Sequence, residues 1–240
     1  MNGSDKRRRV HYQYRYRSKR PFWSRRRYLL IPALLAIILA LLLIFFWPFS
    51  SSPLGDSHFW PNPSSFDEGI TEFSAWPDIV GETPVVTQLL PEGHTARLGV
   101  LRKIKTIVIH ETDNTARGAD AAAHASFMLG NDERNVSWHY TVDKDEIYHH
   151  LPDNEIAFHA GTADDNQYGI GIEICVNKDG DYKKAVDNAA RLTALLLREY
   201  ELESDSIKQH YDCTGKDCPR FMRERGEWDS FLKKVSDYLK

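Results

Sequence analysis

The chain has 240 residues and a net charge of −3, a length that allows one ordinary domain plus appendages. That charge is unevenly divided: residues 1–27 carry about eleven Lys and Arg against the single acid Asp5, roughly +10, which leaves about −13 for the rest. No internal repeat or low-complexity tract is visible, which excludes a repeat array.

The first element in chain order is the basic tail, 1–27, whose aromatics are interleaved with Arg and Lys (HYQYRYRSKRPFW). Such a pattern also suits nucleic acid, but this one abuts an apolar run, so anionic lipid head groups are the expected partner and no nucleic acid is expected. The run LLIPALLAIILALLLIFFW, Leu29 to Trp47, is uncharged and of about the 20-residue length that crosses a bilayer. It is longer than a signal-peptide core, and no small-residue cleavage site follows it, so segment 28–49 is predicted to be one uncleaved transmembrane helix. Arg25 to Arg27 lie on one side of it, which predicts a cytoplasmic amino terminus and an extracellular remainder. Segment 50–84, rich in Ser, Pro, Gly and Asp, reads as an extracellular spacer.

From 85 to 240 the pattern predicts an α/β domain, a mixed central β-sheet flanked by helices. IKTIVIH (Ile104–His110) is a β-branched run of strand length that ends in a histidine. A helix is expected over Gly118–Leu129. Two short strands follow, Ser137–Val142 and Asp145–Leu151, joined by an Asp143-Lys144 turn. Tyr168–Val176 (YGIGIEICV) is a further strand whose Gly169 and Gly171 permit close approach. Apolar residues at three and four spacing predict a helix over Asp181–Leu202, and another closes the chain over Glu227–Leu239.

The stretch HYDCTGKDCP (His210–Pro219) holds one histidine and two of the three cysteines. With His110 at a strand end, His210 and Cys218 form a possible three-ligand zinc set with a vacant fourth position for water. Two other readings stay open on the residues alone: a Cys213–Cys218 disulfide in an oxidising compartment, and Cys218 as a nucleophile activated by a histidine. Glu173 lies inside an apolar strand, where a carboxylate is costly unless it serves a polar site, so it is a candidate general base. Lys216 is placed to stabilise an oxyanion. Glu173 facing solvent and Lys216 as a solvated loop lysine are the plain alternatives.

In order along the chain, IVIHETDN, SWHYTVD, FHAG (Phe158–Gly161), IGIEI and H-x-x-x-T-G-K-x-C-P resemble the zinc-dependent N-acetylmuramoyl-L-alanine amidases of the type-2 class. That group includes phage and bacillus endolysins and the animal peptidoglycan recognition proteins. The resemblance runs from about Val85 to Phe221. It implies a zinc ion on His110, His210 and Cys218, with Glu173 catalytic and Lys216 supporting the reaction. Trp138 stands where several relatives have a tyrosine, and it would line the substrate groove with His139 and His159. His124, His149 and His150 are expected to be ordinary surface or packing residues.

The implied reaction is hydrolysis of the amide between N-acetylmuramic acid and L-alanine, with peptidoglycan as the partner, in wall remodelling or lysis. Two rivals are a peptidoglycan-binding module without catalysis and an amidase of soluble muropeptides. Cys218 speaks against the first and the expected topology against the second. Cys175 and Cys213 are left over, and they would pair only if the fold brought them together.

Overall fold

Alternation along adjacent strands decides the architecture. The computed structural model describes residues 71, 77–130 and 135–240. The strands β1 (Ile79–Val80), β2 (Thr83–Thr87), β3 (Thr106–Glu111), β4 (Tyr140–Val142), β5 (Ile147–His149), β6 (Gly169–Ile174) and β7 (Ile207–Gln209) form one sheet in the order β1-β2-β5-β4-β6-β3-β7. Pairs β4–β6, β6–β3 and β3–β7 are parallel, while β4–β5 and β1–β2 are antiparallel. The mixed central sheet is therefore as the sequence predicts. Around it lie α1 (Ala121–Gly130), α2 (Ala163–Tyr168), α3 (Tyr182–Glu199), α4 (His210–Thr214), α5 (Arg220–Glu224) and α6 (Trp228–Leu239).

Successive strand residues face opposite sides of a sheet. Ile107 and Ile109 of β3, the isoleucines of β6, and Tyr140 and Val142 of β4 share one buried cluster with α3 and α6. From α3 come Ala185, Ala189, Leu192 and Leu196, a stripe at three and four spacing. Truncating one of its leucines to alanine costs about 2–5 kcal/mol. Asp181 starts the helix by accepting from Lys184 N at 3.1 Å, a cap worth about 1 kcal/mol.

The alternate residues, His110 on β3, Thr141 on β4, and Gly171 and Glu173 on β6, belong to the other face. Parallel register pairs His110 with Glu173, and Glu173 with Thr141. A histidine and a carboxylate thus sit on neighbouring strands, about 4.8 Å apart.

The predicted hairpin forms, with Tyr140 opposite His149 and Val142 opposite Ile147. Asp143 fixes its turn: one carboxylate oxygen accepts from Asp145 N at 2.7 Å and Glu146 N at 2.8 Å, the other from Ala121 N at 2.9 Å. One side chain thereby ties the hairpin to the start of α1. Regular strand is shorter here than the sequence predicts. The sheet also begins upstream of residue 85, at Ile79, and Thr71 Oγ1 accepts from Ile104 N at 3.0 Å. The predicted tail (1–27), the transmembrane helix (28–49) and most of the spacer lie outside the described residues. No helix among the described residues is long and apolar enough to cross a membrane.

Candidate metal centre and active site

Three elements bring the candidate ligands together. His110 is on β3, His210 opens α4, and Cys218 lies in the loop between α4 and α5. All are buried, and each offers one ligand atom within 4.8 Å of the others. Cys218 Sγ is 4.0 Å from His110 Nδ1, a few tenths beyond the roughly 3.5 Å that two ligands of one tetrahedral zinc keep. Backbone bonds join the three: Tyr211 N donates to Cys218 O at 2.8 Å, and Glu111 N to Cys218 Sγ at 3.4 Å. Gly161 has a φ of 77°, and a Cβ there would stand 2.9 Å from Thr214 Cγ2. The FHAG turn therefore needs glycine to let α4 lie against it.

Glu111, which no sequence motif singles out, ties these segments together. Its Oε1 accepts from Tyr182 OH at 2.5 Å and Met222 N at 3.1 Å, and its Oε2 accepts from Phe221 N at 2.6 Å. The residue after candidate ligand His110 thus holds the start of α5, just beyond candidate ligand Cys218. No local signal announces this, because the partners are 71, 110 and 111 positions away.

Burial sets the protonation states. It pulls His110 well below the ordinary 6.5, with His159, His210 and Lys216 pushing the same way. Burial and then Lys216 pull His210 down to about 4. Both rings are neutral at pH 7, the form that ligates metal. Burial pushes the Cys218 thiol up to about 12, which disfavours a free nucleophilic thiolate. Cys175, Cys213 and Cys218 are all free, and neither disulfide considered from the sequence forms. Burial also raises Glu173 to about 8 against the opposing charge of Lys216.

Two polar atoms beside these ligands stand out. Among the described residues, His210 Nδ1 and Glu173 Oε2 are buried without a hydrogen-bond partner. Glu173 Oε1 is 4.0 Å from His110 Nδ1. Buried polar groups left unpaired call for an explanation, and two imidazoles with a thiol form a donor set that suits zinc. Lys216 is exposed, and its charge reaches Glu173, His110 and His210.

Glu173 also lines a groove of about 340 Å³ together with Thr112, Asn114, His124, Phe127 and Trp138, a volume that suits a small-molecule site. Trp138 can present its ring to that groove but not its N–H, which donates to Thr141 Oγ1 at 2.7 Å. His139 does not line the groove as expected. It has no exposed surface, its Nδ1 accepts from Gly171 N at 3.0 Å, and its Nε2 lies 3.0 Å from Glu155 O. A neutral ring with both nitrogens committed to backbone serves the framework. His159 is partly buried behind His110, with His110 Nε2 3.0 Å from its Nδ1. His149 and His150 are packing residues, as expected, whereas His124 lines the groove.

The sequence profile of the N-acetylmuramoyl-L-alanine amidases matches residues 101–221, half of the chain. Two relatives from Bacillus subtilis are the N-acetylmuramoyl-L-alanine amidases XlyA and CwlH. XlyA is 44% identical over 149 residues, covering 61% of this chain and 49% of its own length. CwlH is 41% identical over 150 residues, covering 61% of this chain and 59% of its own. The chain therefore spans about half the length of these relatives. The solved catalytic domain of XlyA superposes with a TM-score of 0.61 at 41% identity, over 64% of this chain and 99% of that domain.

Proposed function

The chain belongs to the N-acetylmuramoyl-L-alanine amidase family, and from that premise we propose that it hydrolyses peptidoglycan between N-acetylmuramic acid and the L-alanine of the stem peptide. The observation that carries this reading is the pair of unpartnered buried atoms, His210 Nδ1 within a two-histidine, one-cysteine donor set and Glu173 Oε2 beside it. His110, His210 and Cys218 would hold zinc. When bound, zinc supplies a Lewis acid that polarises the amide carbonyl and makes water more acidic.

The remaining chemistry falls to side chains. Glu173, whose pKa burial raises to about 8 against the charge of Lys216, acts in its ionised form, taking a proton from the attacking water and giving it to the leaving nitrogen of L-alanine. Lys216 supplies positive charge to the carbonyl oxygen as negative charge develops there. Trp138 and Phe127 give the groove apolar walls against which substrate is oriented. A binding module without catalysis would have no use for the buried thiol or for the buried carboxylate beside it.

The test is release of new L-alanine amino termini from purified peptidoglycan by the full chain, with and without a zinc chelator. Release that stops on chelation, and is absent from Glu173→Gln with zinc still bound, supports the hydrolase. A parent that folds, binds zinc and releases nothing would reduce the reading to a binding module. The apolar run Leu29–Trp47 would hold the domain outside the membrane within reach of the wall. A reporter fused after residue 50 that proves cytoplasmic would sink that placement and favour soluble muropeptides as substrate.

A further inference from the structure

His159 has no part in the reaction as proposed, yet its ring lies against a metal ligand. We infer that His159 is a positioning residue that fixes the tautomer of His110 and so aims its Nδ1 at the metal. This rests on the zinc reading of the site.

Donors and acceptors decide the tautomers. Gly169 O can only accept, and His159 Nε2 lies 3.0 Å from it, so Nε2 carries the proton of the neutral ring. His159 Nδ1 is then an acceptor. The 3.0 Å contact from His110 Nε2 to that atom must be a donation by His110. With its proton on Nε2, His110 has a bare lone pair on Nδ1. That nitrogen is the one 4.0 Å from Cys218 Sγ and 4.0 Å from Glu173 Oε1. A single backbone carbonyl on β6 thus determines, through two rings, which nitrogen of β3 meets the ion.

The relay is held on three sides. Asn166 Oδ1 accepts from His159 N at 2.9 Å and from Ala160 N at 2.8 Å. The rings of His110 and His159 meet edge to face, with centroids 5.1 Å apart and planes at 82°. Below, Gly171 lets the ring lie on β6, because a Cβ there would come within 2.8 Å of His159 Cγ. A groove-lining role would leave at least one ring nitrogen free for substrate, and neither is. A metal-ligating histidine commonly gives its second N–H to such a partner, and loss of the partner costs about 10–100-fold in metal affinity.

Long-range proton–nitrogen NMR of the metal-free parent reads the tautomers directly. Both His110 and His159 should carry the proton on Nε2, and His110 protonated on Nδ1 overturns the inference whether or not zinc binds. Zinc affinity by chelator competition is the second arm. His159→Leu should bind zinc about 10–100-fold more weakly, and His159→Asn, whose amide oxygen replaces the Nδ1 acceptor, should recover most of the loss. Equal affinity in the parent and a folded His159→Leu chain refutes the positioning role. A parent that binds no zinc refutes the metal reading itself, a failure visible before any variant is made.

Discussion

The Glu111 clamp yields the sharpest test of how the ligands are held. In Glu111→Gln the side chain keeps its shape but replaces one acceptor oxygen with a donor. Three donors converge on this carboxylate, Tyr182 OH and Met222 N on one oxygen and Phe221 N on the other, at 2.5, 3.1 and 2.6 Å. An amide can serve only one side, so at least one donor then faces an N–H. A hydrogen bond to a charged group is worth about 1.5–3 kcal/mol, and an orphaned buried donor carries a similar penalty. The loss should be about 2–3 kcal/mol, or roughly 5–10 °C in Tm for a domain of this size. Because Glu111 N also donates to Cys218 Sγ, the loosened clamp should let His110 and Cys218 part, and zinc should bind about 10-fold more weakly. Thermal melts of the metal-free and zinc-loaded chains, with chelator competition, measure both. Tyr182→Phe removes one donor and keeps the carboxylate, so its loss should be near 1 kcal/mol. A Glu111→Gln chain that melts with the parent and holds zinc equally would refute the idea that this carboxylate binds the two ligand segments together.

Three further outcomes are expected. Asp143→Ala leaves the amides of Ala121, Asp145 and Glu146 without their acceptor and should cost about 2–4 kcal/mol; a melt unchanged from the parent's would count against it. His150 is held neutral, its pKa pulled from 6.5 to about 3 by burial, with His149 and His124 adding to it. The unfolded chain takes up this proton near pH 6.5 and the folded chain only near 3, so the contribution is whole above about 6.5 and is lost as pH falls through that window, at about 1.4 kcal/mol per pH unit. Between pH 7 and 5 the metal-free parent should therefore lose about 2 kcal/mol more than His150→Gln, and parallel pH profiles of the two would contradict this. Cys218→Ser should keep the fold but bind zinc at least about 100-fold more weakly, because a hydroxyl does not ionise to replace the thiolate; undiminished zinc affinity would remove Cys218 from the ligand set.

The parts of the fold legible in the sequence were those with a period, an unbroken apolar run or a clear turn signal. β6, α3 and α6 each present a repeating apolar pattern, the trace that burial on one face leaves in a sequence, whereas β3 shows an unbroken β-branched run. β1, β7, α4 and α5 run to two, three, five and five residues, too short for any period, and tertiary contacts form them. The candidate donor set His110, His210 and Cys218 could be picked out because metal chemistry restricts residue type, and the structure brings one ligand atom of each within 4.8 Å of the others. His139 misled for the converse reason: a histidine is equally suited to a site and to satisfying buried backbone, and only its partners, Gly171 N and Glu155 O, tell the two apart.

The strand Gly169–Ile174 shows why the face bearing the site resists sequence reading more than the core does. Its isoleucines, at alternate positions, are interchangeable in kind: each needs only to be apolar and of suitable volume to pack on α3. The residues between them are each singular. Gly169 supplies the carbonyl that orients His159, Gly171 supplies an absence of side chain on which that ring rests, and Glu173 supplies a carboxylate in register with His110. A repeating requirement leaves a pattern that one sequence can show. Singular requirements leave none, and become visible only when the atoms they serve, here the two nitrogens of His110, are in place beside them.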